Sequence, residues 1–172
     1  AGHSMGARVA LEMVRQAPQR IARLALADTG VLPRQESEVA GRQRRVDLAY
    51  RQGMRALADD WLPPMVHPDR HTDTALMGEL TAMVERMNPQ LHERQITALL
   101  NRPDARPQLA QVKCPTLLIV GRQDAWSPLS QHEAMLAELP DARLVVIEDA
   151  GHFAPIERPG PTTGALADWA AD

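Results

Sequence analysis

The amino-acid sequence predicts an α/β fold in which helices flank a parallel β-sheet. Nearly continuous apolar runs at residues 23–27, 114–120 and 142–147 are typical of strands covered on both faces. Helical segments separate these runs, and strands that alternate with helices favour parallel pairing through right-handed crossovers. The pattern Gly-x-Ser-x-Gly at residues 2–6 is typical of a sharp turn between a strand and a helix.

The turn at residues 2–6 is expected to lift the hydroxyl of Ser4 clear of the backbone. Such a turn brings neighbouring backbone into contact, so we expect a Cβ at either Gly2 or Gly6 to collide. A turn of this kind also needs a strand before it, and only Ala1 precedes Gly2. The sequence therefore predicts that the chain is the C-terminal part of a longer protein.

Helices are predicted to follow the sheet segments. The first covers residues 5–17, has one narrow polar stripe and ends at Pro18. A second covers residues 130–139 and stops before Pro140, and a last helix runs from about residue 162 to residue 171. Together with the apolar runs, these helices place residues 1–30 and 111–172 in one sheet-containing core.

Residues 31–110 differ from the rest of the chain in composition and hydrophobic pattern. They are charged, rich in arginine and methionine, and without a strand pattern. Amphipathic helices are predicted at about residues 36–61, 74–87 and 90–101, with a break near Gly53. The proline-rich residues 62–68 are expected to form an ordered loop. We interpret this stretch as a helical cap inserted on the sheet of the core.

Composition excludes several classes of function. A net charge of −3 without long runs of either sign leaves no footprint for nucleic acid, and no apolar stretch approaches the length of a membrane span. Cys114 is the only cysteine, which fits a reducing compartment such as the cytoplasm. His67 and His71 flank Pro68 without a second spaced cluster of ligands, so no metal site is expected. No cofactor is predicted either.

Three chemically complementary residues follow predicted strands: Ser4, Asp124 and His152. Because the carboxyl ends of parallel strands share one edge of a sheet, we expect these side chains to converge. A serine hydroxyl needs a base, imidazole titrates near neutrality, and a carboxylate can orient the imidazole. Asp28 also ends a predicted strand and is an alternative acid. His3 is expected to point away from Ser4 and to pack.

The sequence resembles the C-terminal part of an α/β-hydrolase-fold serine hydrolase with a helical cap. The resemblance covers the whole chain and is carried by the residues at 2–6, 116–124 with 126–128, and 150–153 with 157–159. It implies that Ser4 is the nucleophile, Asp124 the acid and His152 the base, with the Met5 N–H as an oxyanion-hole donor. It also implies about five earlier strands and a second oxyanion donor, which these 172 residues do not contain. We therefore expect the chain alone to be poorly folded or inactive.

The predicted function is hydrolysis of a carboxylic ester or related acyl bond of a small molecule, through an acyl-enzyme. A carbon–carbon bond hydrolase, a lactonase and an acyltransferase share the same triad and remain alternatives. An inactive fragment or a binding module is a further alternative. Candidate pocket residues, for which packing is an equal alternative, are Trp61, Met65, Val66, Trp126 and Phe153.

Overall fold

A computed structural model describes residues 1–171 and has the predicted architecture, a parallel sheet flanked by helices. Within these residues the strands pair in the order β1 (Gly2–His3), β2 (Leu24–Ala27), β3 (Thr116–Gly121) and β4 (Ala142–Ile147). Every pair is parallel, and Leu26 lies opposite both Gly2 and Leu118. The carboxyl ends of the strands consequently meet at one edge of the sheet.

The strand β1 is absent from the sequence-based prediction, which recognised three strands. Two residues are too few to show an apolar period, so β1 is visible only through its pairing with β2. The backbone continues this pairing beyond β1, because the N–H of Ser4 donates to the carbonyl of Ala27 at 2.9 Å.

The helices of the described residues are α1 (Met5–Gln16), α2 (Glu36–Trp61), α3 (Thr74–Glu85), α4 (Pro89–Leu100), α5 (Arg106–Leu109), α6 (Leu129–Glu138), α7 (Ala154–Glu157) and α8 (Pro159–Ala171). Short 3₁₀ turns lie at Pro18–Arg20, Pro63–Met65 and Pro68–Arg70. Helix α8 begins three residues before its predicted start, at Pro159. A proline fits this first helical position because an N–H there would have no acceptor within the helix. None of the helices in residues 1–171 combines the length and apolarity needed to cross a bilayer.

Two apolar layers enclose the sheet, because alternate strand residues point to opposite faces. Leu26 and Leu118 pack with Leu11 of α1 and Met135 of α6. Ala25, Ala27, Leu117 and Ile119 belong to the opposite layer, which Leu166 and Trp169 of α8 partly cover. This helix–sheet–helix sandwich explains the continuous apolar runs, since both faces of the central strands are buried.

The chain divides into two compact units, Ala1–Val31 with Ala105–Asp172, and Leu32–Asp104. The second unit is helical and contains α2, α3 and α4. Helix α2 is interrupted at Gly53, whose φ of 85° and ψ of 176° are not helical, as the sequence predicts. Glu38 closes a capping box with Gln35 at the start of α2 and pairs with Arg102 at 2.5 Å.

Candidate active site

Ser4 occupies the turn between β1 and α1 in a backbone conformation that L-residues rarely adopt, with φ 52° and ψ −117°. Its carbonyl accepts hydrogen bonds from the N–H groups of Ala7 and Arg8 at 3.1 and 3.4 Å, and from the Thr29 hydroxyl at 3.0 Å. These contacts, with the bond to Ala27, hold the serine in a conformation that the isolated backbone would leave.

The two glycines of the turn differ in their surroundings. A Cβ on Gly2 would lie 2.3 Å from the carbonyl oxygen of Gly6 and 2.5 Å from the nitrogen of Ala7, so no side chain fits there. The expectation for Gly6 is wrong, because a Cβ at Gly6 meets no described atom within 4 Å. The close approach is between the Gly2 backbone and the first turn of α1, and the absence of a side chain at Gly2 alone permits it.

The Ser4 hydroxyl is directed to His152 and not to its own helix. Ser4 Oγ lies 2.8 Å from His152 Nε2, and the Ser4 side chain makes no capping hydrogen bond to α1. His152 follows β4 in a loop held by the buried carboxylate of Glu157, which accepts the N–H groups of Gly151 and Phe153 at 2.9 and 3.3 Å. Glu157 therefore restrains the backbone on both sides of His152.

Asp124 contacts the other ring nitrogen of His152, with 2.9 Å between His152 Nδ1 and Asp124 Oδ2. Ser127 donates its hydroxyl to the same oxygen at 2.7 Å, and the N–H groups of Trp126 and Ser127 donate to Oδ1 at 2.8 and 3.0 Å. Burial alone would raise the pKa of Asp124, but the hydrogen bonds from His152 and Ser127 outweigh it and lower the pKa to about 2. Asp124 is thus an anion at neutral pH.

Asp28, the alternative acid, has different partners. Its Oδ1 accepts the N–H of Gly121 at 2.8 Å, and its Oδ2 lies 3.6 Å from His3 Nε2 without a normal hydrogen bond to a described residue. Burial, reinforced by the nearby Asp124 charge, raises the pKa of Asp28 to about 8. A carboxyl that is mostly neutral at pH 7 and engaged with Gly121 is poorly suited to orienting His152.

His3 packs beside the candidate triad. Its ring stacks on Phe153 with centroids 6.0 Å apart, and its Nε2 lies 2.6 Å from the main-chain carbonyl of His152. Burial lowers the pKa of His3. With Nε2 committed to a carbonyl, His3 is a support for the His152 loop and is not positioned as a second base for Ser4.

The remaining predicted site residues lie in both units. Met5 is the first residue of α1, so its N–H has no acceptor within the helix. In the first unit, the Trp126 ring lies 6.3 Å from the ring of His152, and Phe153 packs edge-on to it at 6.0 Å. In the helical unit, Trp61 packs edge-on to His92, whereas Met65 and Val66 are buried.

Sequence analysis did not assign roles to four buried polar residues that the structure places around the site: Thr29, Ser127, His132 and Glu157. Ser127 and Glu157 stand in motifs that carry the family resemblance, so a signal for them was present. Thr29 and His132 had none, because a threonine after a strand and a histidine on a helix are common in any fold.

The histidines considered for a metal site are occupied by backbone contacts. His67 Nδ1 accepts the N–H of Asp69 at 3.1 Å, and His71 Nε2 lies 2.8 Å from the Pro63 carbonyl. Across residues 1–171, no three His, Cys, Asp or Glu side chains are grouped so that they could hold a metal ion.

Comparison with known proteins extends these observations. A pimeloyl-[acyl-carrier protein] methyl ester esterase of Aromatoleum aromaticum is 30% identical over 164 residues, which cover 88% of this chain and 65% of the esterase. A 2-hydroxy-6-oxo-6-phenylhexa-2,4-dienoate hydrolase of Burkholderia cepacia is 27% identical over 99% of this chain and 62% of its own length. The chain therefore spans less than two thirds of these relatives.

Among solved structures, a thermophilic esterase from Thermogutta terrifontis superposes with a TM-score of 0.92 and 31% identity. The match covers 99% of this chain and 63% of the esterase. The sequence profile described as the alpha/beta hydrolase family matches residues 1–165. With the parallel sheet, the strained serine turn and these relatives in agreement, the chain belongs to the alpha/beta hydrolase family.

Proposed function

We propose that the complete protein containing these residues is a serine hydrolase that cleaves a carboxylic ester of a small molecule. The observation that carries the proposal is the continuous contact from Ser4 Oγ to His152 Nε2 at 2.8 Å and from His152 Nδ1 to Asp124 Oδ2 at 2.9 Å. The three side chains come from the ends of three strands, where a parallel sheet presents its ligand-binding edge.

In the proposed reaction, Ser4 Oγ attacks the ester carbonyl while His152 Nε2 takes its proton. The Met5 N–H faces the developing oxyanion, and His152 returns the proton to the departing alcohol. Water, deprotonated by the same nitrogen, then attacks the acyl-enzyme, and His152 returns that proton to Ser4 Oγ as the acid is released. Asp124 remains ionised throughout and keeps the proton of neutral His152 on Nδ1, so that Nε2 is free to act as the base.

The backbone strain at Ser4 supports this role over a structural one. A serine that only capped a helix would use ordinary extended dihedrals and donate no hydroxyl to a distant histidine. Ser4 instead has a positive φ, and its side chain does not cap α1. Backbone strain of this kind is found mainly at reactive sites.

Ester hydrolysis is favoured over carbon–carbon bond cleavage because the esterases match 88% or more of this chain at 30% identity or above, whereas a 2-hydroxy-6-oxononadienedioate hydrolase with 33% identity matches only 39% of it. Because the chain is also similar to the hydrolase from Burkholderia cepacia, carbon–carbon bond cleavage is the second candidate reaction. The triad serves both reactions, so substrate selection lies elsewhere. We assign it to the side chains beside the triad, with Trp126 and Phe153 of the first unit as the candidate residues.

The test is labelling of the complete protein with a fluorophosphonate probe, followed by turnover of p-nitrophenyl acetate. We expect the probe to modify Ser4, and Ser4→Ala to abolish both labelling and turnover. Ser130→Ala, an exposed serine of α6, is the matched control and should change neither. A folded protein that is not labelled at Ser4 would contradict the proposal and favour a binding module.

A further inference from the structure

A buried polar contact joins the turn after β2 to the peptide of the candidate nucleophile. Thr29 is 4% exposed, and its hydroxyl donates to the carbonyl of Ser4 at 3.0 Å. The same carbonyl begins the α1 hydrogen-bond ladder through Ala7 and Arg8. Thr29 therefore restrains the peptide that joins Ser4 to α1, and with it the backbone from which Ser4 Oγ projects.

Thr29 is in turn held by a histidine that no step of the proposed reaction uses. His132 of α6 is completely buried, and its Nε2 accepts the Thr29 N–H at 3.2 Å. Since Nε2 accepts, the proton of the neutral ring must lie on Nδ1, which is 3.3 Å from the carbonyl of Pro128. Pro128 follows Ser127, whose hydroxyl and N–H both bind Asp124.

We propose that Thr29 and His132 are positioning residues that hold the Ser4 turn in register with the Asp124 loop. The inference rests on the proposed function, because it concerns the reactivity of Ser4. The path runs from Pro128 through His132 and Thr29 to the Ser4 carbonyl, separately from the side-chain contacts of the triad. It links the two loops that must not move relative to each other during proton transfer.

The hydrogen bonds of this path require His132 to be neutral. Burial lowers the pKa of His132, which keeps Nε2 unprotonated and able to accept the Thr29 N–H. Ser4 needs such restraint because its positive φ persists only where surrounding contacts determine it. A misplacement of about 1 Å can lower a catalysed rate about 100-fold, so a small shift of this turn is measurable.

The first experiment compares Thr29→Val and Thr29→Ser in the complete protein, using the second-order rate of fluorophosphonate labelling at Ser4. Thr29→Val should lower the labelling rate and kcat about 10- to 100-fold with little change in KM, and Thr29→Ser should restore both to within about threefold. Thr116→Val removes an equally buried hydroxyl, bonded to the Cys114 carbonyl at the opposite end of the sheet. That control should label at the wild-type rate.

The second experiment replaces His132 with Leu or with Gln, whose amide can both accept from Thr29 and donate. His132→Leu should slow labelling as Thr29→Val does, His132→Gln should recover most of the rate, and the double variant Thr29→Val/His132→Leu should be no slower than either single change. Equal labelling rates for wild type and Thr29→Val in folded protein would overturn the inference. Absence of labelling in the wild type would instead overturn the proposed function.

Discussion

Oδ1 of Asp28 accepts a hydrogen bond from the backbone N–H of Gly121 at 2.8 Å, across the ends of β2 and β3. This contact ties one candidate acid to the strand that carries the other. It leaves Asp124, three residues after Gly121, as the carboxylate whose oxygen lies 2.9 Å from His152 Nδ1. The two acidic residues therefore have separate partners although both follow neighbouring strands.

Asp124→Asn should be far more damaging to activity than Asp28→Asn. An asparagine at position 124 can present an N–H to His152 and favour the wrong tautomer, so kcat should fall about 10³- to 10⁴-fold. An asparagine at position 28 still offers an oxygen to Gly121, and kcat should stay within about threefold. Steady-state hydrolysis of p-nitrophenyl acetate measures both. A larger loss in Asp28→Asn would identify Asp28 as the acid.

Ser127→Ala should reduce activity without unfolding the protein. The variant loses the hydroxyl that donates to Asp124 Oδ2 at 2.7 Å, and one hydrogen bond to a charged group contributes about 1.5–3 kcal/mol. We expect kcat to fall about 10-fold, since the backbone N–H groups still hold Oδ1. Ser130→Ala, three residues along the chain and exposed, is the control. Unchanged kcat in Ser127→Ala would show that its hydroxyl is dispensable.

Gly2→Ala and Gly6→Ala should have opposite consequences. The Cβ at position 2 would overlap the Gly6 carbonyl and the Ala7 nitrogen, and overpacking costs about 1–3 kcal/mol or more. The Cβ at position 6 meets open space in a helix, where alanine is favoured over glycine by about 0.5–1 kcal/mol. Denaturant unfolding measures both changes. Similar destabilisation by the two variants would contradict the observed geometry.

Asp28 should make the wild-type protein less stable as the pH rises from about 4 to about 8. Its carboxyl ionises near pH 3.8 when unfolded but near pH 8 when folded, so within this window the folded state binds the extra proton. The free energy of unfolding then falls with increasing pH. Asp28→Asn removes this dependence, and the stability difference should shift in favour of the variant as the pH rises.

The measurement is urea unfolding of wild type and Asp28→Asn at pH 5 and pH 8. Asp168→Asn, which changes an exposed carboxyl of α8, is the control and should follow the wild type at both values. Parallel behaviour of wild type and Asp28→Asn would mean that the Asp28 carboxyl is not mostly neutral at pH 7 in the folded protein.

Much of the fold could be predicted from the sequence because it depends on local patterns. The strand Ala142–Ile147 has the predicted bounds, and β2 and β3 begin within two residues of their predicted starts. Continuous apolar character identifies central strands wherever both faces are covered, as in this sandwich. The two residues of β1 lie below the length at which any such pattern can be detected.

The candidate site could be predicted only in part. Ser4, Asp124 and His152 follow from residue type and from position at strand ends, which requires no knowledge of distance. The hydrogen bond between Thr29 and His132 joins residues 103 positions apart. Such a contact depends on how α6 packs against the turn after β2, and no period or motif in the chain encodes it.

The sequence by itself determined the fold class, the alternation of the longer strands and helices, and the types of residue at the ends of the strands. Only the tertiary structure decided which acid faces His152, which glycine is sterically required, and which polar residues hold Ser4. The physical reason is that sequence spacing specifies which groups reach the same edge of the sheet. Strand register and helix packing then set their separations to within an ångström, and hydrogen bonding depends on that separation.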